Sequence, residues 1–518
     1  MAPCNRVRAT LPGLCAVSLA PLLALVMARA HAAVPVGRIT IYVRHVIGPL
    51  KPLRGVNGAP NLTFLGPVDS LGHPRINVSA GYRAAHIDLV RTHDSEGLAD
   101  IDPHIGPLHA LVSRAKDTRA ARMDLRVMFP RLSANPDLAA SYQFGPTDAL
   151  VAGIRSIGAQ VLFRLGREGM TTAPPPTDLR KYGQIIRHIA LHYERGWDHG
   201  MLDGVRYWEV WNEPDLGKIW WRGTPQQYYA LYATAARAVK SADPRAFVGG
   251  PTIAMVNEPT PYRDGFLEYV QAHRLPLDFF SWHWYSVGAD DPYDFNRIAV
   301  RMRALLDRYG FRNTRSFLDE WNYDFREMRS APPMQVASFV ASALAYMQNA
   351  PIDREALYRA DGDFLATGRP RTPTGQVLVE LGRFVDTPLR VATVGADTDG
   401  LAVQAARSRD GRILRVLISN YRIPTSKMGA RPGGDTLRIP GLFTMRLLRR
   451  RTIRYPKTHR YVLTIRGLPQ ARYRVIQRRL GERGEAVTTT HPPLGSTVTL
   501  DVNLPPYAVE TFEIVRAP

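Results

Sequence analysis

The chain has 518 residues, 45% of them hydrophobic, and sets 67 lysines and arginines against 46 aspartates and glutamates for a formal charge of +21. That length is too great for one ordinary domain, and the hydrophobic share excludes a disordered chain, so a large core with an accessory domain is expected. Both cysteines, Cys4 and Cys15, fall in the opening segment, which excludes a thiol nucleophile, a cysteine metal site and a disulfide from the rest.

Residues 1–32 read as an export signal. Arg6 and Arg8 precede an apolar stretch from Leu11 to Met27, and Ala30-His31-Ala32 offers the small residues of a cleavage site. The apolar stretch is broken by Pro12, Ser18 and Pro21 and falls short of the roughly 20 residues a span needs, so no stable membrane span is expected after cleavage. Residues 33–49 contain RITIYV (38–43), a strand expected to complete an accessory β-sandwich.

From 50 to 386, short apolar runs alternate with stretches of helical period, the pattern of parallel strands joined by helices. Eight strands are expected: LRGVN (53–57), IDLVRTH (87–93), QVLFRLG (160–166), VRYWEVWNE (205–213), AFVGG (246–250), FFSWHWY (279–285), SFLDE (316–320) and ALYRA (356–360). Between them, Ile185, Ile189 and Tyr193 form one helical stripe and Met302, Leu305, Leu306 and Tyr309 another. Thr224 before Pro225 caps a helix expected to run to about Ser241. Beyond 387 the texture becomes strands and turns, with Asp410-Gly411 at the tip of a hairpin, and residues 387–518 are assigned to the β-sandwich. The expected fold is α/β: a (β/α)8 TIM barrel with an accessory β-sandwich domain.

Two of the barrel strands end on acids. YWEVWNEPD (207–215) closes on Glu213, held between Asn212 and Pro214, and SFLDEWNYD (316–324) carries Glu320. Glycosidic hydrolysis needs one carboxylic acid to protonate the leaving oxygen and a second carboxylate at the oxocarbenium-like carbon. The fourth and seventh strands of an eight-stranded barrel face each other across the mouth, so Glu213 and Glu320 suit that pair. Period-2 alternation leaves open whether Asp319 or Glu320 points inward. On the sixth strand His283 and Tyr285 share a side; His283 suits a sugar hydroxyl, and the Tyr285 phenol suits the nucleophile carboxylate. Asn212 is a donor for a sugar hydroxyl. Trp220 and Trp221 fit either stacking on sugar faces or anchoring a rim loop.

Assembled, VRTH (90–93), WNEPD (211–215), SWHWYS (281–286) and DEWN (319–322) resemble glycoside hydrolase family 39, the family of β-xylosidases and α-L-iduronidases, over residues 50–385. The resemblance implies Glu213 as general acid/base, Glu320 as nucleophile, and His93, Asn212, His283 and Tyr285 around the attacked sugar, with no metal and no cofactor. Arg164 stands where many β-xylosidases of the family carry an acid; it suits the carboxylate of an acidic sugar or an ion pair with Glu168 or Asp94.

The function expected is that of an exported retaining glycoside hydrolase, β-xylosidase-like, acting by double displacement, with Glu213 holding a proton and Glu320 ionised. The alternatives are an endo-acting hydrolase of an acidic bacterial exopolysaccharide and a non-catalytic polysaccharide-binding or assembly protein. The partner is an oligo- or polysaccharide, and the basic charge, including the stretch from Arg446 to Arg483, admits an anionic one. No nucleic-acid partner is expected, since no basic run interleaved with stacking aromatics accompanies a binding motif.

Overall fold

A computed structural model describes residues 36–517 except 70–73, 104–125, 168–173, 365–370, 432–433, 441–442 and 457. The export-signal segment 1–32 and Glu168 lie outside the described residues.

The first strand, β1 (Gly37–Pro49), belongs to the accessory sheet described below. Eight parallel strands then close a barrel: β2 (Gly55–Asn57), β3 (Leu89–Arg91), β4 (Gln160–Leu165), β5 (Tyr207–Val210), β6 (Phe247–Ile253), β7 (Phe279–Tyr285), β8 (Arg315–Asn322) and β9 (Arg354–Leu357). All eight expected strands are present; the last begins two residues earlier and ends three residues sooner than the apolar run ALYRA suggested.

The helices pack outside with the expected stripes inward. Ile185, Ile189 and Tyr193 are buried in the helix Leu179–Arg195, which Asp178 caps by accepting from the Lys181 amide at 2.9 Å and Gly196 ends in a left-handed conformation. The helix Pro225–Ala242 opens with a capping box: Thr224 accepts from the Gln227 amide, and the Gln227 side chain accepts from the Thr224 amide.

After the barrel come β10 (Leu389–Val394), β11 (Leu401–Arg407), β12 (Ile413–Asn420), β13 (Thr436–Ile439), β14 (Phe443–Arg446), β15 (Arg460–Arg466), β16 (Tyr473–Leu480), β17 (Ala486–Leu494), β18 (Val498–Asn503) and β19 (Ala508–Arg516). Nine strands hydrogen-bond in the order β17-β16-β19-β12-β11-β10-β1-β15-β18 around an apolar core built from residues such as Ile39, Val416, Leu463 and Phe512; this is the β-sandwich. β1 runs antiparallel to β10 and parallel to β15. β11 and β12 form the hairpin whose turn carries Asp410-Gly411. The helix Pro333–Met347, buried almost all round, joins barrel to sandwich, with Ser342 Oγ bonded to Ser419 Oγ at 3.0 Å.

Candidate active site

Alternation along the barrel strands stacks the interior in layers. The floor is apolar: Leu89, Leu162, Tyr207, Phe279 and Phe317 form one cluster, with the Phe279 and Phe317 rings stacked at 4.4 Å. Two residues further along the same strands the layer turns charged, with Arg91, Arg164, Glu209 and Asp319 all fully or almost fully buried. Beyond them, at the carboxyl ends, stand His93, Glu213, His283 and Glu320.

Arg91 organises the middle layer. Its Nε is 2.6 Å from Glu209 and 3.3 Å from Asp319, while its Nη atoms reach Glu320 at 3.0 Å and the Asn212 side-chain oxygen Oδ1 at 2.7 Å. Three carboxylates thus converge on one guanidinium. Burial, backed by the charge of Asp319, raises Glu209 well above its ordinary value despite Arg91. For Asp319, burial is overcome by Arg91, the hydrogen bond from Glu209 and His283, which hold its carboxyl low.

Asp319 and Glu320 both face inward because β8 carries an irregularity there. Trp282 pairs with Leu318 but His283 pairs with Glu320, so Asp319 is an extra residue opposite the β7 strand. Such a bulge re-aims side chains that strict alternation would send to opposite faces. Asp319 points down to Arg91; Glu320 points to the mouth, where Oε1 accepts from the Tyr285 hydroxyl at 2.7 Å.

Glu213 sits on a strained turn, with φ +43° and its neighbour Trp211 at +74°. The turn is over-determined by its surroundings, as functional strain requires. The Glu213 amide donates to the carbonyl and hydroxyl oxygens of Thr252, both at 3.1 Å, and Asp215 accepts from the amides of Ala254 and Met255. Burial, opposed by those amides and aided by the charge of Glu213, pushes Asp215 up to about 7.

The two mouth acids share one imidazole. His283 Nδ1 is 2.9 Å from Glu213 and 3.9 Å from Glu320, and oxygens of the two carboxylates lie within 4.8 Å of one another. Burial disfavours the imidazolium, but Glu320, Asp319 and Glu213 outweigh it and raise His283 well above its ordinary value. Burial has the largest influence on Glu320 and, with the charge of Glu213, pushes its carboxyl up to about 7 against the pull of His283, Arg91 and Tyr285. The expectation of a Glu320 kept low is therefore corrected: burial beside a second acid raises its carboxyl instead.

The remaining expected residues divide. His93 reaches within 3.9 Å of Glu320, and burial together with Arg91, Arg164 and His283 holds its ring neutral. The Asn212 side-chain amide nitrogen is buried and has no partner among the described residues, a donor left for a ligand. Trp220 lies edge-on to His93 at 5.6 Å, whereas Trp221 is buried and anchors the rim by donating to the Thr224 carbonyl. Arg164 is 0% exposed and, among the described residues, its ion-pair partner is Asp100 at 2.5 Å and not Asp94. A fully enclosed, already paired guanidinium is poorly placed for a substrate carboxylate.

Sequence reasoning passed over Arg91 and Glu209, although Arg91 shares a side with His93 and Glu209 lies one layer below Glu213. Glu213, His283 and Glu320 each offer a ligating atom. With Arg91 3.0 Å from Glu320 and the imidazole bonded to Glu213, they form an acid pair bridged by a histidine.

Two acids across the mouth of a closed parallel barrel, with donors ready for sugar hydroxyls, define the class: a glycoside hydrolase. Residues 161–348 match the model of glycosyl hydrolases family 39. A β-xylosidase of Geobacillus stearothermophilus is 38% identical over 168 residues, 29% of this chain and 32% of that enzyme, so the match spans about a third of the relative's length. The crystal structure of a glucosidase from Croceicoccus marinus aligns over 93% of this chain and 100% of its own, with TM-score 0.79 and 32% identity. A family 39 enzyme from Xanthomonas axonopodis pv. citri shares the fold over 95% of this chain and 99% of its own, with TM-score 0.61 and 15% identity. The chain belongs to glycosyl hydrolases family 39.

Proposed function

We propose that the protein is an exported glycoside hydrolase that cleaves O-glycosidic bonds with retention of configuration. The observation that carries this reading is the closeness of the acids, whose oxygens lie within 4.8 Å. Retaining enzymes hold their carboxyl groups roughly 5–5.5 Å apart, and inverting ones leave roughly 6.5–9.5 Å for a water.

In the first step Glu213 gives its proton to the leaving oxygen while Glu320 bonds to the anomeric carbon. In the second, Glu213 takes a proton from water, which displaces Glu320 from the sugar and restores both acids. The Tyr285 hydroxyl and Arg91 hold Glu320 for in-line attack, and the free Asn212 amide nitrogen is offered to a sugar hydroxyl. The relatives named a β-xylosidase and a glucosidase support a β-xyloside-type or glucoside-type sugar in the first subsite. Export rests on the leader-like composition of residues 1–32.

The test is hydrolysis of aryl β-xylosides, β-glucosides, α-iduronides and α-arabinosides with the first-formed anomer read by NMR. Retention on one of them is expected; inversion would remove Glu320 from the nucleophile role. Full activity in a Glu213→Gln, Glu320→Gln double variant would falsify the site. Silence on every aryl glycoside with oligosaccharides released from an acidic polysaccharide would make the enzyme endo-acting, a reading favoured by the basic hairpin described next. Silence on both would leave a binding protein.

A further inference from the structure

Between β12 and β15 the chain leaves the sandwich and lies against the barrel. Leu437, Met445, Leu447, Leu448 and Ile453 are buried in the barrel's apolar cluster, not in the sandwich core. Polar tethers fix the segment to loops at the carboxyl ends of three barrel strands. After β6, Asn257 donates to the Arg446 carbonyl at 3.1 Å and Glu258 accepts from the Arg446 amide at 2.8 Å. After β7, Arg450 donates to the Gly288 carbonyl at 2.9 Å and Arg451 pairs with Asp291 at 2.7 Å. After β8, Glu327 pairs with Lys427. Every one of these loops is on the same rim as Glu213 and Glu320.

The hairpin β13–β14 has two different faces. In its register Leu437 lies opposite Met445, and this buried pair faces the barrel; Thr436 lies opposite Arg446 and Arg438 opposite Thr444, and these four are exposed. Arg438 and Arg446 are thus diagonal neighbours on the outer face, about 7–8 Å apart at their base. Arg450 and Arg451 are committed to the barrel loops, but among the described residues neither Arg438 nor Arg446 has a carboxylate within ion-pair distance. Thr252, which receives the Glu213 amide, is only five residues before Asn257, so the hairpin backbone stands no more than about 30 Å from Glu213.

We propose that the β13–β14 hairpin is a remote subsite for an anionic saccharide chain on the leaving-group side of the cleft, with Arg438 and Arg446 binding carboxylates carried by units beyond the bond that is cut. This rests on the polysaccharide reading above. The aglycone side follows from the loop involved, since the hairpin hangs on the strand extension that holds the acid Glu213. Guanidinium groups on a ribbon pair with carboxylates by charge-assisted hydrogen bonds, and the apolar inner face keeps the ribbon seated while the outer face meets the chain.

The test uses the full chain in a Glu320→Gln background, so that the polymer is not consumed, with affinity electrophoresis in glucuronoxylan and in unsubstituted neutral xylan. Arg438→Gln, Arg446→Gln is expected to weaken retention by glucuronoxylan roughly fivefold and to leave retention by neutral xylan unchanged. A control variant, Arg409→Gln, Arg412→Gln, removes the same charge from the distant β11–β12 turn and should retain wild-type affinity. Equal losses in the two variants, or an equal loss on neutral and acidic xylan, would overturn the proposal, as would a wild-type chain that glucuronoxylan does not retain. With Glu320 restored, the hairpin variant should hydrolyse aryl glycosides at the wild-type rate. If no aryl glycoside is cleaved but glucuronoxylan retention still depends on Arg438 and Arg446, the subsite stands and the hydrolase reading falls.

Discussion

The interior of the barrel and the interior of the sandwich are built on opposite terms. In the sandwich, β18 reads buried and exposed in strict alternation, and the residues turned inward are apolar. In the barrel the same alternation brings Arg91, Glu209 and Asp319 inward, each at 1% exposure or less. Burying charges costs several kcal/mol per ion unless they are paired and hydrogen-bonded. The sandwich is therefore where the chain gathers stability, and the barrel mouth is where stability is exchanged for chemistry.

The largest break in that comparison should come from Glu320→Gln. A loss on the order of 10⁴-fold in kcat is expected, with no fall in Tm, because a buried charge has been removed; activity within tenfold of wild type would exclude it as nucleophile. Arg91→Met strands three acids in a dry layer and should cost about 3–5 kcal/mol in urea unfolding as well as most activity. An unchanged urea midpoint would mean the acids are neutral without it. Leu463→Ala, in the sandwich core at 0% exposure, should cost about 3 kcal/mol and leave kcat intact. A parallel drop in kcat would show that the two regions do not act separately.

A smaller effect sharpens the electrostatics. Because burial and the Glu213 charge raise Glu320 to about 7, the acid limb of kcat/KM should lie above the ordinary glutamate range. Glu213→Gln removes a charge that raises Glu320, so with an activated leaving group the limb should move to lower pH. Tyr285→Phe removes a hydrogen bond that lowers it, so the limb should move to higher pH. Each displacement is expected to be about one pH unit, or roughly 1.4 kcal/mol; movement of both in one direction would refute the assignment. Smallest of all, Thr224→Ala should cost about 1 kcal/mol by opening the capping box, seen as a slightly lower Tm with unchanged kinetics.

Most of the barrel was legible because parallel strands buried on both faces show as apolar runs, and WNEPD and DEWN stood at the ends of two of them. The closing β-rich region was legible as texture, including the Asp410-Gly411 turn. What alternation could not foresee was its own interruption: the extra residue at Asp319 turns two adjacent acids to one side. Arg91 was within reach, since it shares parity with His93, but a cation beneath an expected sugar site draws no attention until its three acids are seen around it. The arginines after Arg446 looked like one basic surface. Arg450 and Arg451 proved to be anchors to barrel loops, and Arg478 and Arg479 face Glu513 and Glu510.

The central place of β1 in the sandwich has a consequence in time. Its hydrogen-bond partners are β10, from Leu389, and β15, ending at Arg466. At about 5–20 residues per second, synthesis would keep RITIYV waiting roughly 20–80 s for its second partner. Over that interval at least one edge of an apolar, β-prone segment is bare, the condition under which strands join the wrong neighbour. Arg38 opens the segment, Arg44 follows it, and both remain exposed in the finished sheet. Their charges act as gatekeepers, keeping a strand that is made early from pairing with another copy before the chain that completes its sheet has been made.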